Sequence, residues 1–140
     1  MSQYEVDYVY LETTTYCNLD CSFCNRRDVV KHAQHMSLEN WIVVLEKIKD
    51  FPIKEAKLMG LGEPFLHPQF SDICRIFKEY HPNAKIIVDT NAQYTPNENF
   101  YESLQYIGQL YVSIDGIKDT YEAARAPSKW PKLISFLDTL

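Results

Sequence analysis

The chain has 140 residues, 46% of them hydrophobic, and a formal net charge of −5. That is one domain's worth of sequence, enough for a real core but short of the ~200 or more residues of a closed eight-stranded βα barrel. The acidic balance argues against a nucleic-acid surface, since phosphate neutralisation needs clustered Lys and Arg, and no run reaches the ~18 apolar residues of a membrane span.

In chain order, Val6 to Thr14 is rich in Tyr, Val, Leu and Thr and reads as a first strand, followed by a cysteine-rich loop. Ser37 reads as an N-cap, and Leu38, Trp41, Ile42, Leu45 and Ile48 recur at helical spacing, which predicts a helix from about Leu38 to Lys49. Glu55 to Met59 is a short second strand ending in a glycine turn. Pro68 opens a helix whose Phe70, Ile73, Cys74, Phe77 and Tyr80 form one apolar stripe. Lys85 to Asp89 reads as the third strand, Asn97 to Tyr106 as a helix, and Leu110 to Ile114 as the fourth strand. Two further helical pieces follow, roughly Lys118 to Ala124 and Pro131 to Leu140. Strand and helix thus alternate without a repeat, which predicts an α/β protein of parallel βα units with right-handed crossovers. Such folds build their sites at the C-terminal ends of the strands.

Cys17, Cys21 and Cys24 stand at C-x₃-C-x₂-C spacing just after the first strand. Three thiolates from one short loop can hold three irons of a 4Fe–4S cluster, leaving the fourth iron open to a small molecule. Three cysteines within eight residues are poor disulfide geometry and good metal geometry. Met1-Ser2-Gln3-Tyr4-Glu5 lacks the basic and apolar regions of a signal peptide, so reduced thiols in the cytoplasm are expected. The rival for the cysteines is a structural zinc site completed by His32 or His35. Cys74, on the apolar stripe of its helix, reads as core. The basic spot Arg26-Arg27 with Lys31 is either a solvated turn or a docking point for an acidic electron donor or substrate.

Cys17-Asn18-Leu19-Asp20-Cys21-Ser22-Phe23-Cys24 resembles the signature loop of the radical S-adenosylmethionine (radical SAM) enzymes. Gly60-Leu61-Gly62-Glu63-Pro64 is similar to that family's glycine-rich Gly-Glu-Pro segment, Thr90-Asn91 to its Thr-Asn step, and Val112-Ser113-Ile114-Asp115-Gly116 to its Ser-x-Asp-Gly strand end. The resemblance spans the chain from Tyr8 to the last helix. It implies a partial TIM-like barrel of six βα units, of which residues 1–140 supply about four, as the N-terminal part of a core domain. It also implies two cofactors, a 4Fe–4S cluster and S-adenosylmethionine, whose reductive cleavage yields a 5′-deoxyadenosyl radical that abstracts hydrogen from the substrate. The lead-in to the cysteines and the Gly-Glu-Pro-Phe-Leu-His-Pro stretch look most like the group with SPASM or Twitch extensions, which implies a peptide or small-metabolite substrate and a reductant such as flavodoxin or ferredoxin. A different class of answer is a non-catalytic iron–sulfur or zinc-binding module acting through partners.

By the same resemblance, Phe23 lies against the adenine and Glu63 accepts from the cofactor's ammonium, with Gly60 and Gly62 letting the backbone approach. Asn91 belongs to the Thr-Asn step. Ser113 and Asp115 alternate with Val112 and Ile114, so they share a face, which in the family holds the cofactor's ribose and carboxylate. Arg125 resembles an arginine that pairs with that carboxylate. On the first strand Tyr8, Tyr10, Glu12 and Thr14 share one face, which makes Glu12 a candidate substrate or structural contact. Thr90, Asn91 and Gln93 are equally good strand-end and turn residues.

Overall fold

The computed structural model describes residues 6–140, so the reading drawn from Met1 to Glu5 concerns residues outside those described. Four strands, β1 (Val6–Tyr10), β2 (Ile53–Lys57), β3 (Lys85–Thr90) and β4 (Ile107–Val112), form one sheet in the order β1-β2-β3-β4 with every pairing parallel. The register places Val9 beside Ala56, Ala56 beside Ile86, and Val88 beside Leu110. Between them run α1 (Arg26–Val29), α2 (Leu38–Ile48), α3 (Phe70–Tyr80) and α4 (Glu98–Leu104), and α5 (Asp119–Ala124) and α6 (Trp130–Leu137) follow. This is the α/β class and the consecutive parallel order of a partial barrel.

The core lies between the helices and one face of the sheet. Trp41 and Leu45 of α2 and Phe70, Ile73, Cys74 and Phe77 of α3 are buried against Ala56, Leu58, Ile86 and Val88. Inside it the Trp41 indole N–H donates to the Ile73 carbonyl at 3.1 Å, satisfying the only polar atom of that ring. Ser37 caps α2 as its position predicts, its hydroxyl accepting from the Asn40 amide at 3.2 Å. The opposite face is polar and aromatic: Lys57 pairs with Asp89 at 2.8 Å and lies over the Tyr10 and Tyr111 rings, 5.9 and 5.5 Å from their centroids.

Several boundaries differ from the sequence reading. β1 ends at Tyr10 and not at Thr14. Beyond it the chain pairs with a returning segment, Thr13 and Gln34 carbonyls accepting from Met36 and Thr15 at 2.8 and 2.9 Å, with a bridge between Thr14 and His35. β2 runs two residues earlier than expected, and β4 runs from Ile107 to Val112 and not from Leu110 to Ile114, so Gly108 lies inside it. A Cβ on Gly108 would stand 2.7 Å from the Lys85 side chain, so this glycine permits close strand approach and does not end the strand. α4 stops at Leu104, two residues short of Tyr106. The short helix α1 and the 3₁₀ turn Pro64–Leu66 have no counterpart among the predicted elements.

Candidate functional site

The four strand ends open on one rim, and segments from all of them line a cavity of about 220 Å³. The loop after β1 contributes Cys17, Cys21, Phe23 and Cys24, and the turn after β2 contributes Gly60, Gly62 and Glu63. Asp89 and Thr90 come from the end of β3, Asn91 from just beyond it, and Ser113 and Arg125 from the region after β4. Of the residues singled out in the sequence, Asp115, Glu12 and Gln93 stand off the cavity wall, and Asp115 pairs with Arg125 at 2.6 Å.

The cysteine loop is held from two sides. Asn18 donates to the Gln93 carbonyl at 2.7 Å and accepts from Asn91 at 2.9 Å, which ties the loop to the end of β3. The Asp20 and Ser22 amides donate to the Ala126 and Ala124 carbonyls at 2.6 and 3.0 Å, which ties it to the end of α5. Two donors reach the sulfurs: Asn91 Nδ2 lies 3.8 Å from Cys17 Sγ and Arg125 Nη1 lies 4.0 Å from Cys21 Sγ. Burial pushes both thiols up, while the Leu19 amide and Asn91 oppose it at Cys17 and Arg125 opposes it at Cys21.

All three loop cysteines are free thiols. Among the described residues no three His, Cys, Asp or Glu side chains converge to hold a single metal ion. Three thiolates from one loop are a donor set that suits three irons of a cluster. His35 is engaged elsewhere: its Nδ1 is 2.8 Å from the Thr14 hydroxyl and its ring stacks on Tyr16, centroids 4.4 Å apart. Cys74 is wholly buried in the core, as its stripe predicts, and burial pushes its thiol far up.

The glycine segment meets its own fold more closely than it meets open space. A Cβ on Gly62 would lie 2.3 Å from the Thr14 carbonyl oxygen and 2.6 Å from that of Tyr16, and the next amide, of Glu63, donates to Tyr16 at 2.7 Å. Gly60 faces the Glu12 side chain, whose Oε1 accepts from the Leu61 amide at 2.6 Å. Glu12 is thereby a structural contact of the glycine turn. Glu63 is buried, and its carboxylate accepts from the Thr90 hydroxyl at 2.8 Å, the Asn91 amide at 2.7 Å and the Phe65 amide at 3.3 Å. Burial pushes its carboxyl up to about 7 against the pull of those donors. It latches the end of β2 to the end of β3.

Gln93, which the sequence leaves as an ordinary turn residue, is a buried junction. Its amide donates to the Tyr121 hydroxyl and the Lys129 carbonyl at 3.0 and 3.1 Å and accepts from the Lys129 amide at 2.9 Å. Ala92 beside it carries a positive φ of 56°, which turns the chain sharply out of β3 at the cavity.

Parallel βα units with a thiol-bearing loop and a glycine turn on one rim define an α/β protein whose candidate site lies at the C-terminal edge of the sheet. The chain belongs to the radical SAM superfamily, whose sequence profile matches residues 11–140. It is similar to a tungsten-containing aldehyde ferredoxin oxidoreductase cofactor-modifying protein of Pyrococcus furiosus, 29% identical over 110 residues that cover 77% of this chain and 30% of the relative. It is also similar to the sporulation killing factor maturation protein SkfB of Bacillus subtilis, 29% identical over 117 residues, 82% of this chain and 28% of the relative. Among solved structures, BtrN in complex with AdoMet and 2-DOIA superposes with a TM-score of 0.74 at 20% identity, covering 99% of this chain and 53% of that one. Streptococcus suis SuiB bound to precursor peptide SuiA does so with a TM-score of 0.75 at 19% identity, covering 96% of this chain and 30% of that one. The chain therefore spans less than a third of the length of either curated relative.

Proposed function

We propose that this chain is the core of a radical SAM enzyme, holding a 4Fe–4S cluster on Cys17, Cys21 and Cys24 and S-adenosylmethionine in the adjoining cavity. The observation that carries the reading is the convergence of four strand ends on one cavity that has three free thiols in its wall. Bound together, cluster and cofactor supply one-electron reductive cleavage of S-adenosylmethionine for hydrogen abstraction. The chain's own residues hold, orient and shield. Asn91 and Arg125 direct donors at two of the sulfurs, and the Glu63 latch fixes the glycine turn relative to Asn91. Ser113 and the Gly60-Leu61-Gly62 backbone present polar groups to the cofactor, and Phe23, an exposed ring at the mouth, supplies an apolar face for its adenine.

A peptide or small-metabolite substrate is the class we infer, supported by relatives whose names describe peptide maturation and cofactor modification. A flavodoxin or ferredoxin as reductant is supported by exposed Arg27 of α1, which pairs with Asp20, and exposed Lys31 just beyond that helix, beside the loop. Free thiols at a rim call for a reducing compartment, the cytoplasm, and no helix among the described residues is long and apolar enough to cross a membrane.

Anaerobic reconstitution with iron and sulfide tests the reading. The expected product is a brown protein with about four irons per chain, whose reduced electron paramagnetic resonance signal changes when S-adenosylmethionine is added. Replacing Cys17, Cys21 or Cys24 by Ala abolishes the signal, and Cys74→Ala leaves it. Stoichiometric zinc with no cluster formed would overturn the reading in favour of a zinc-binding module.

A further inference from the structure

Arg125 follows α5, where a cation needs no explanation beyond the helix dipole. Its surroundings are more specific than that. Nε and Nη2 each lie 2.6 Å from Asp115 Oδ2, while Nη1 lies 4.0 Å from Cys21 Sγ. The guanidinium carbon sits 5.4 Å from the centre of the Phe23 ring. The side chain is 13% exposed, against 48% for that of Asp115. The carbonyls on either side, of Ala124 and Ala126, are those that accept from Ser22 and Asp20, so the backbone around Arg125 and the loop carrying Cys21 are fixed to one another.

We propose that Arg125 is a positioning residue for the cluster, whose guanidinium donates to the Cys21 sulfur and raises the cluster's reduction potential. The inference rests on the assignment of Cys17, Cys21 and Cys24 as cluster ligands. Reduction adds one negative charge to the cluster, and a fixed cation with a hydrogen bond to a ligand sulfur stabilises that added charge. Asp115 does not cancel the effect. It grips the opposite edge of the guanidinium and is half exposed, so water and salt screen its charge more than they screen the buried cation. That grip also occupies two nitrogens that a cofactor carboxylate would otherwise use, leaving Nη1 to the sulfur. Phe23 floors the guanidinium and couples its placement to the mouth of the cavity.

Redox titration of the reconstituted cluster, followed by electron paramagnetic resonance, tests this in the wild-type chain, Arg125→Gln and Arg125→Lys. Arg125→Gln is expected to move the midpoint to more negative potential. Arg125→Lys, which keeps the charge and loses the planar fork, restores part of the shift. Iron content stays at the wild-type level, and affinity for S-adenosylmethionine, read from the same signal, changes less than tenfold, about 1.4 kcal/mol. A cluster-loaded Arg125→Gln protein with an unshifted midpoint overturns the inference, and with a larger affinity loss it assigns Arg125 to the cofactor. If neither variant loads a cluster while the wild type does, Arg125 acts on assembly and the inference fails. A wild-type chain that takes up no cluster overturns the inference together with the reading on which it rests.

Discussion

At the level of single residues, Gly62 and Glu63 show how a ligand-facing motif is first a device of the fold. Gly62 has the first strand's continuation against its α-carbon, with carbonyl oxygens 2.3 and 2.6 Å from where a Cβ would be. Gly62→Ala therefore forces backbone apart and is expected to cost about 1–3 kcal/mol or more. Gly60→Ala meets the Glu12 side chain, with Oε1 at 2.1 Å and Cδ and Cγ at 2.5 Å, which can swing aside with loss of its bond to the Leu61 amide, and is expected to cost less. Thermal unfolding of the two variants checks the difference, and equal losses would show that the contact with Thr14 and Tyr16 does not matter. Glu63 makes a pH prediction. Its carboxyl is raised from 4.5 to about 7 in the native state, so the native chain holds a proton that the unfolded chain has released. The contribution is fully present below about pH 4.5 and is lost as pH rises through about 7, which bounds the effect at about 3 kcal/mol. Glu63→Gln removes the titration. Denaturant midpoints at about pH 5 and about pH 8 should then differ less in the variant than in the wild type, and an unchanged difference would exclude Glu63 as the source.

Between elements, the decisive contact is made by a side chain that no local pattern marks. Gln93 joins the end of β3 to Tyr121 of α5 and to Lys129 at the start of α6. Gln93→Ala removes a partner of the buried Tyr121 hydroxyl and the partners of the part-buried Lys129 amide and carbonyl, where a fully buried group left unsatisfied costs about 1–3 kcal/mol. Hydrogen exchange is expected to accelerate across 119–137, and at Asp20 and Ser22 as well, because their amides bond to the segment after α5. Acceleration spread evenly over α2 and α3 would mean a global loss and no such junction. The order and kind of the main elements were legible because apolar β-branched runs alternate with helical stripes such as Phe70, Ile73, Cys74 and Phe77. The ends were not, because they are set by partners far along the chain: β1 stops where the segment around His35 returns, and β4 starts early because Gly108 admits Lys85. Likewise the cysteine loop and the residues around it were legible from spacing and motif. The pairing of Glu63 with Thr90 and Asn91, or of Arg125 with Asp115, exists only once the strands are side by side.

For the whole molecule, the question is whether holding a cluster and using it need the same amount of fold. β1 and β4 are the edges of the sheet among the described residues, and on the face opposite the helices Tyr8, Tyr10 and Tyr111 are 39%, 66% and 49% exposed. The cavity beside the thiols is lined from four strand ends, and Asp89, which pairs with Lys57 on that face, is part of its wall. We therefore propose that two further βα units, from a longer polypeptide or a partner, close the barrel over the adenine and exclude water from the reacting atoms. The 140-residue chain alone should load iron and bind S-adenosylmethionine weakly, yet form little 5′-deoxyadenosine with dithionite. A version extended by those units should form it readily. Chromatography of the nucleoside products decides between the two states, with the iron content of each sample fixing how much cluster is available to turn over. Equal yields per cluster from the short and extended chains would show that four βα units already shield the site, and would make the open face a surface for substrate and not a gap in the wall.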